Sequence, residues 1–142
     1  MIGLTKVASG EGFVELTERP ERAPEAGEVV GPRVFSTGDP LYAGDRSRHN
    51  AIKTIEDARR EARRLQSYGA VSPKQYLQPE RRQRQWISEA ARELGLMVTA
   101  EGGDMLYVLT MIMDGQTGWE HPIPQVPVYE DLAQFIGRAK AH

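Results

Sequence analysis

The chain has no cysteine, so it has neither disulfides nor thiolate metal ligands. Aromatic residues make up only 7% of it and histidines number only three, so each imidazole carries weight as a candidate ligand. Charge of one sign is also missing. Lysine and arginine total 18 against 20 acids, for a net charge of −2, which argues against a dedicated nucleic-acid or membrane-surface protein. No apolar run approaches the length of a membrane span. The start, MIGLTKVASGEGF, lacks a basic stretch followed by an apolar core, so no secretory leader is expected and the cytoplasm is the expected location. No Gly-rich phosphate fingerprint follows the first expected strand, and there is no His-x-His pair, no HExxH and no serine at a strand-to-helix elbow.

What is present fits one globular domain of 142 residues with 39% hydrophobic residues. Residues 1–24 are poorly patterned, with one possible short strand at Gly12 to Leu16, and 25–142 form the expected domain. Arg33-Val34-Phe35-Ser36-Thr37-Gly38 reads as a buried strand ending in a glycine turn, and Asp39 to Asn50 as a loop. Thr54-Ile55-Glu56-Asp57 matches a capping box. The helix after it has Ile55, Ala58, Ala62 and Leu65 on one face and stops at Gly69. Ala70 to Lys74 is the next strand, although Pro73 lacks a ladder donor. A helix from Pro79 through Trp86, Ile87, Ala90, Ala91 and Leu94 ends at Gly95. Leu96 to Ala100 is a strand, and Asp104 caps a helix, MLYVLTMIM, apolar nearly all round and expected to be well buried. Thr117 to Glu120 is extended, and a last helix carries Val128, Leu132, Phe135, Ile136 and Ala139 on one face.

Strands alternating with helices imply βαβ units, a parallel sheet, and all strand ends on one rim. The residues just past those ends are Thr37 and Gly38, then Lys74, Glu101 and His121. Glutamate and neutral imidazole ligate zinc and other divalent ions, and a lysine can move a proton or, once carbamylated, ligate as a carboxylate. Each has a plainer reading. Lys74 could be a solvated loop lysine, Glu101 a helix-start acid facing a dipole, and His121 a structural loop residue. The arginines at 59, 60, 63 and 64 with those at 81, 82 and 84 could form a basic face for RNA. The acids Glu56, Asp57, Glu61 and Glu80 interleave with them, so an ion-paired, solvated face is the better reading and no nucleic-acid partner is expected. His49 and His142 have no nameable partners.

Three stretches, GPRVFSTG, YGAVSPKQYLQPERRQRQWISEAARELGLMVTAEGGD and LTMIMDGQTGWEHPIP, resemble the amidohydrolase superfamily, and most closely the large amidohydrolase-related enzymes often fused to a β-propeller. The resemblance runs from Glu25 to Phe135. It implies an α/β fold of about four consecutive βα units from the middle of a (β/α)8 TIM-type barrel, a half barrel of parallel strands. It also implies one or two divalent ions, zinc first, at the C-terminal rim, activating water against a C–N amide-like or ester bond of a small molecule. Lys74 matches the lysine after the fourth barrel strand, carbamylated in many members. Glu101 stands where most members have a histidine after the fifth strand, with EGG as the form of this subgroup. His121 matches the histidine after the sixth.

Pro73 departs from the aliphatic residue expected beside the lysine, and the family's His-x-His and its aspartate after the eighth strand have no counterpart. The metal set is therefore incomplete, and the chain is expected to be weakly active or inactive by itself. A half barrel would leave two edge strands and an apolar interior open, so a homo-oligomer or a missing barrel half is the expected partner. The alternative is a non-catalytic α/β module that dimerises through those edges.

Overall fold

In a computed structural model of the chain, the residues described are 35–42, 51–76, 78, 80–123 and 127–141. The elements alternate strictly: β1 (Leu41–Tyr42), α1 (Ile55–Ser67), β2 (Lys74–Tyr76), α2 (Arg81–Glu93), β3 (Thr99–Glu101), α3 (Met105–Met113), β4 (Gly118–Glu120) and α4 (Glu130–Ala139). The strands form one parallel sheet in the order β1-β2-β3-β4, so each strand lies beside its predecessor in sequence. This is an α/β fold resembling part of a TIM-type barrel.

Local chemistry accounts for the helices. The hydroxyl of Thr54 accepts from the Asp57 N–H at 3.1 Å, and the Asp57 carboxylate accepts from the Thr54 N–H at 3.0 Å, closing the expected capping box. Asp104 caps α3 through the Tyr107 N–H at 2.9 Å. Gly69, Gly95 and Gly115 follow the first three helices at positive φ, the left-handed conformation that ends a helix most readily at glycine.

Strand register sorts the side chains onto two faces. Leu41, Gln75, Ala100 and Trp119 are aligned across the sheet and face the helices. Against them α1 and α2 contribute Ala58, Ala62, Leu65, Ile87, Ala90 and Ala91, while α3 contributes Val108, Met111 and Ile112. The alternate positions Tyr42, Lys74, Tyr76, Thr99, Glu101 and Glu120 share the opposite face. That face is polar, which corrects the expected apolar interior.

Several boundaries differ from the sequence reading. The first strand is Leu41–Tyr42, inside the expected loop, while 35–38 is not strand. The Gly38-Asp39-Pro40 turn comes before the strand rather than after it, and Gly38 sits at φ 66. Its missing Cβ matters, because one built there would lie 2.7 Å from Leu65 Cδ2. β2 begins at Lys74 rather than ending there, because Pro73 gives the ladder no donor. β3 likewise starts later than expected and includes Glu101. Helix α3 is not buried all round: Leu106 and Met113 are 74% and 67% exposed. The possible strand at Gly12 to Leu16 and the residues Arg33, Val34, His49, Pro79 and His142 lie outside the described residues.

Candidate functional site

Parallel strands put all their C-terminal ends on one rim, where Glu101 and His121 lie, and Lys74 reaches Glu101 from the start of the neighbouring strand. Lys74 starts β2, Glu101 ends β3, and His121 follows β4 directly. The two oxygens of Glu101 bridge the other two residues. Oε1 lies 2.7 Å from Lys74 Nζ, and Oε2 lies 2.6 Å from His121 Nε2. The side chains of Lys74 and Glu101 are only 7% and 12% exposed, whereas that of His121 is 65% exposed. The row therefore runs from a buried ammonium through a shielded carboxylate to an imidazole in water.

The geometry departs from the plainer readings of Lys74 and Glu101. Lys74 is buried rather than solvated. Glu101 is a strand residue, and Asp104 rather than Glu101 caps α3. His121 is exposed yet has a partner at hydrogen-bond distance. Thr37 and Gly38 do not join them, because they precede β1 instead of following it.

Backbone geometry delivers His121 to Glu101. His121 has φ 70, left-handed and uncommon for a residue with a Cβ. This reverses the chain at the end of β4. One residue back, the Glu120 carbonyl accepts from the Gly102 N–H at 3.1 Å. A Cβ on Gly102 would meet that same oxygen at 2.8 Å, so only glycine permits β3 and β4 to approach so closely just past Glu101.

Sequence reasoning missed Glu120 and the tyrosines. Glu120 is in register with Glu101 on the polar face, and the Thr99 hydroxyl donates to its Oε1 at 3.0 Å. Tyr42 and Tyr76 lie on that face with ring centroids 5.0 Å apart. The signal available was the period of two along each strand, which puts Lys74 with Tyr76 and Thr99 with Glu101.

Among the described residues no three His, Cys, Asp or Glu side chains come together as metal ligands. Glu101 and His121 are two donors, and an ammonium at Lys74 has no lone pair to give. Carbamylation of Lys74 would make it a third oxygen ligand, and three protein ligands plus water is the usual open zinc arrangement.

The helix arginines are largely engaged by acids. Arg59 meets Glu93 at 2.6 Å, Arg60 meets Asp57 at 2.9 Å and Arg81 meets Asp114 at 2.8 Å. Hydrogen bonding from Arg59 holds the Glu93 carboxyl below its ordinary value, and the Asp114 carboxylate raises the Arg81 guanidinium. Arg84 is buried and stacks over the Tyr107 ring, 4.8 Å from its centroid. Burial is the main cause that raises the Tyr107 hydroxyl above its ordinary value.

Solved structures share this arrangement of strands and helices. A Xaa-Pro dipeptidase with methionine bound in its active site superposes with TM-score 0.68 over 95% of this chain and 39% of its own, at 15% identity. Ochratoxinase from A. niger gives 0.66 over 94% and 39%, at 18% identity. An amidohydrolase gives 0.68 over 94% and 40%, at 17% identity. The fold is thus similar to that of amidohydrolase-type enzymes, and the chain spans about two-fifths of their length. No protein-family model matches the sequence. No curated protein matches it either. Among the described residues no helix is long and apolar enough to cross a membrane.

Proposed function

We propose that this chain is an arc of a metal-dependent hydrolase barrel of the amidohydrolase type, acting on a C–N amide-like or ester bond of a small molecule. The observation that carries the reading is the bridging of Lys74, the first residue of β2, and His121, just past β4, by Glu101 at the end of β3. The fold of the hydrolases to which the chain is similar supports it. Glu101, His121 and a carbamylated Lys74 would hold the divalent ion, with zinc the first choice. Bound there, such an ion supplies a water acidic enough to attack at neutral pH. Before carbamylation Glu101 pairs with both neighbours, and His121, the most exposed of the three, faces the solvent from which substrate arrives. The sequence has no His-x-His pair, so we infer that a single chain binds metal without appreciable turnover.

Elemental analysis after dialysis against zinc with and without bicarbonate tests this. Zinc retained only with bicarbonate, and lost in His121→Gly, is the expected outcome. Glycine is the apt replacement because it keeps the left-handed backbone while deleting the imidazole. Chain that retains no zinc under either condition overturns the metal reading. A second reading, a non-catalytic α/β module that self-associates, is favoured by the two sheet edges at β1 and β4, each paired on one side only among the described residues. Stable association without zinc is the result that selects it.

A further inference from the structure

We propose that Arg84 is a positioning residue for the Lys74–Glu101 pair, a buried brace between the βα unit that carries the lysine and the unit that carries the glutamate. Only what the pair serves rests on the hydrolase reading.

The packing leaves a seam between these units. Helices α1 and α2 bury their apolar faces in one cluster, whereas Val108, Met111 and Ile112 of α3 form another with Ala100 of β3. Lys74 starts the strand that leads to α2, and Glu101 ends the strand that leads to α3. The ion pair therefore spans two units whose helices sit in separate clusters among the described residues.

Arg84 crosses that seam from within. It stands on α2, only 8% exposed, with its guanidinium carbon 4.8 Å from the centre of the Tyr107 ring on α3. Its Nη1 donates to the carbonyl of Gln78, just past β2, at 3.3 Å. Gln78 in turn donates from Nε2 to the Leu41 carbonyl of β1 at 2.8 Å. One side chain thus ties the end of the lysine's strand to the helix that follows the glutamate's strand. Arg81 also runs from α2 to Asp114 at the end of α3, but it does so from the surface.

Its charge sets Arg84 apart as well. Arg59, Arg60, Arg64, Arg81 and Arg82 each meet a carboxylate. Among the described residues Arg84 meets none, and its Nε–H is buried without a hydrogen-bond partner. A buried charge without a counter-charge is costly, and an apolar side chain of similar length would fill the space without that cost. What the guanidinium adds is a flat face and directed donors, which hold a distance that an apolar chain leaves loose. The distance at stake is the 2.7 Å between Lys74 Nζ and Glu101 Oε1. Both groups are shielded from water, where an ion pair repays its desolvation only with good geometry.

A double-mutant cycle on the full chain tests this. Urea unfolding of Lys74→Met, Glu101→Leu and the double variant gives the coupling between the two side chains. The cycle is then repeated with Arg84→Met, Arg84→Lys or Arg81→Met added throughout. The expected result is that Arg84→Met removes most of the coupling. Arg84→Lys should keep part of it, because an ammonium can still donate to Gln78. Arg81→Met, which cuts the surface tie between the same helices, should leave it intact. Lower stability in Arg84→Met with unchanged coupling overturns the inference and makes Arg84 a packing residue. Equal loss of coupling in Arg81→Met overturns it too, and so does a native chain without coupling. Should Arg84→Met not fold, Tyr107→Leu removes the ring beneath the guanidinium and is read in the same way. Zinc content is measured separately. A native chain that retains no zinc sinks the hydrolase reading alone, and coupling that survives Arg84→Met sinks the brace alone.

Discussion

Glu101 has two carboxylate oxygens, and the fold uses both. Its partner Lys74 is an ammonium almost entirely removed from water, where a charge is tolerable only if paired. Replacing Glu101 by Leu should therefore destabilise the chain by about 3 kcal/mol, because it strands the lysine. Adding Lys74→Met should recover much of that loss, since an apolar pair of similar volume does not need the compensation. Urea unfolding of the two single variants and the double variant checks this; equal and additive losses would mean that the two side chains act independently. The sequence made these residues visible as strand-end groups. It did not show that one carboxylate would bridge the other two, because that depends on how far β3 and β4 approach, and Gly102 decides it.

At the scale of elements, periodicity and capping located the four helices among the described residues, and errors gathered in the strands. The strands are two or three residues long, so a shift of two residues exchanges a strand for its turn. Helix α3 shows a different failure. Its apolar residues run nearly all round, but the sheet covers only the side with Val108, Met111 and Ile112. Composition reports what a helix could bury, not what is there to bury it. Gln75 offers the reverse case. It lies on the helix-facing side of β2, 1% exposed, with neither amide atom hydrogen-bonded. Its register neighbours on that face are Leu41 and Ala100. Gln75→Met should stabilise the chain by about 1–2 kcal/mol, by removing the penalty of an unpaired buried amide without opening a cavity. A higher urea midpoint with unchanged slope is the expected observation. A lower midpoint would show that the amide has a partner in solution.

For the whole molecule, ion pairs on the helix surfaces set the acid limit. A backbone hydrogen bond from Lys53, and then one from the Arg60 side chain, hold the Asp57 carboxyl below its ordinary value. Arg59 does the same for Glu93 across α1 and α2. Both groups bind protons more weakly folded than unfolded. Their stabilisation is therefore complete above the ordinary carboxylate range near pH 4 and is lost as pH falls through the lowered values. Unfolding midpoints measured from neutral pH to about pH 3 should drop in that window. Glu93→Gln should flatten the drop, and added salt should weaken it, because the Glu93 carboxylate is exposed and that of Asp57 is partly so. A drop of the same size in Glu93→Gln would place the acid sensitivity elsewhere.

By itself the sequence determined the alternation of strands and helices and the caps that start α1 and α3, and it put Glu101 and His121 at strand ends; Lys74 it placed at the wrong end of its strand. These are local matters, fixed by side-chain periodicity and by backbone groups within a few residues. Only the tertiary structure decided that the face opposite the helices is polar, that Glu101 joins Lys74 to His121, and that α3 is half bare. Each of these depends on the register and closeness of strands some twenty residues apart in the chain. No local pattern encodes that distance; the packing of helices on the sheet sets it.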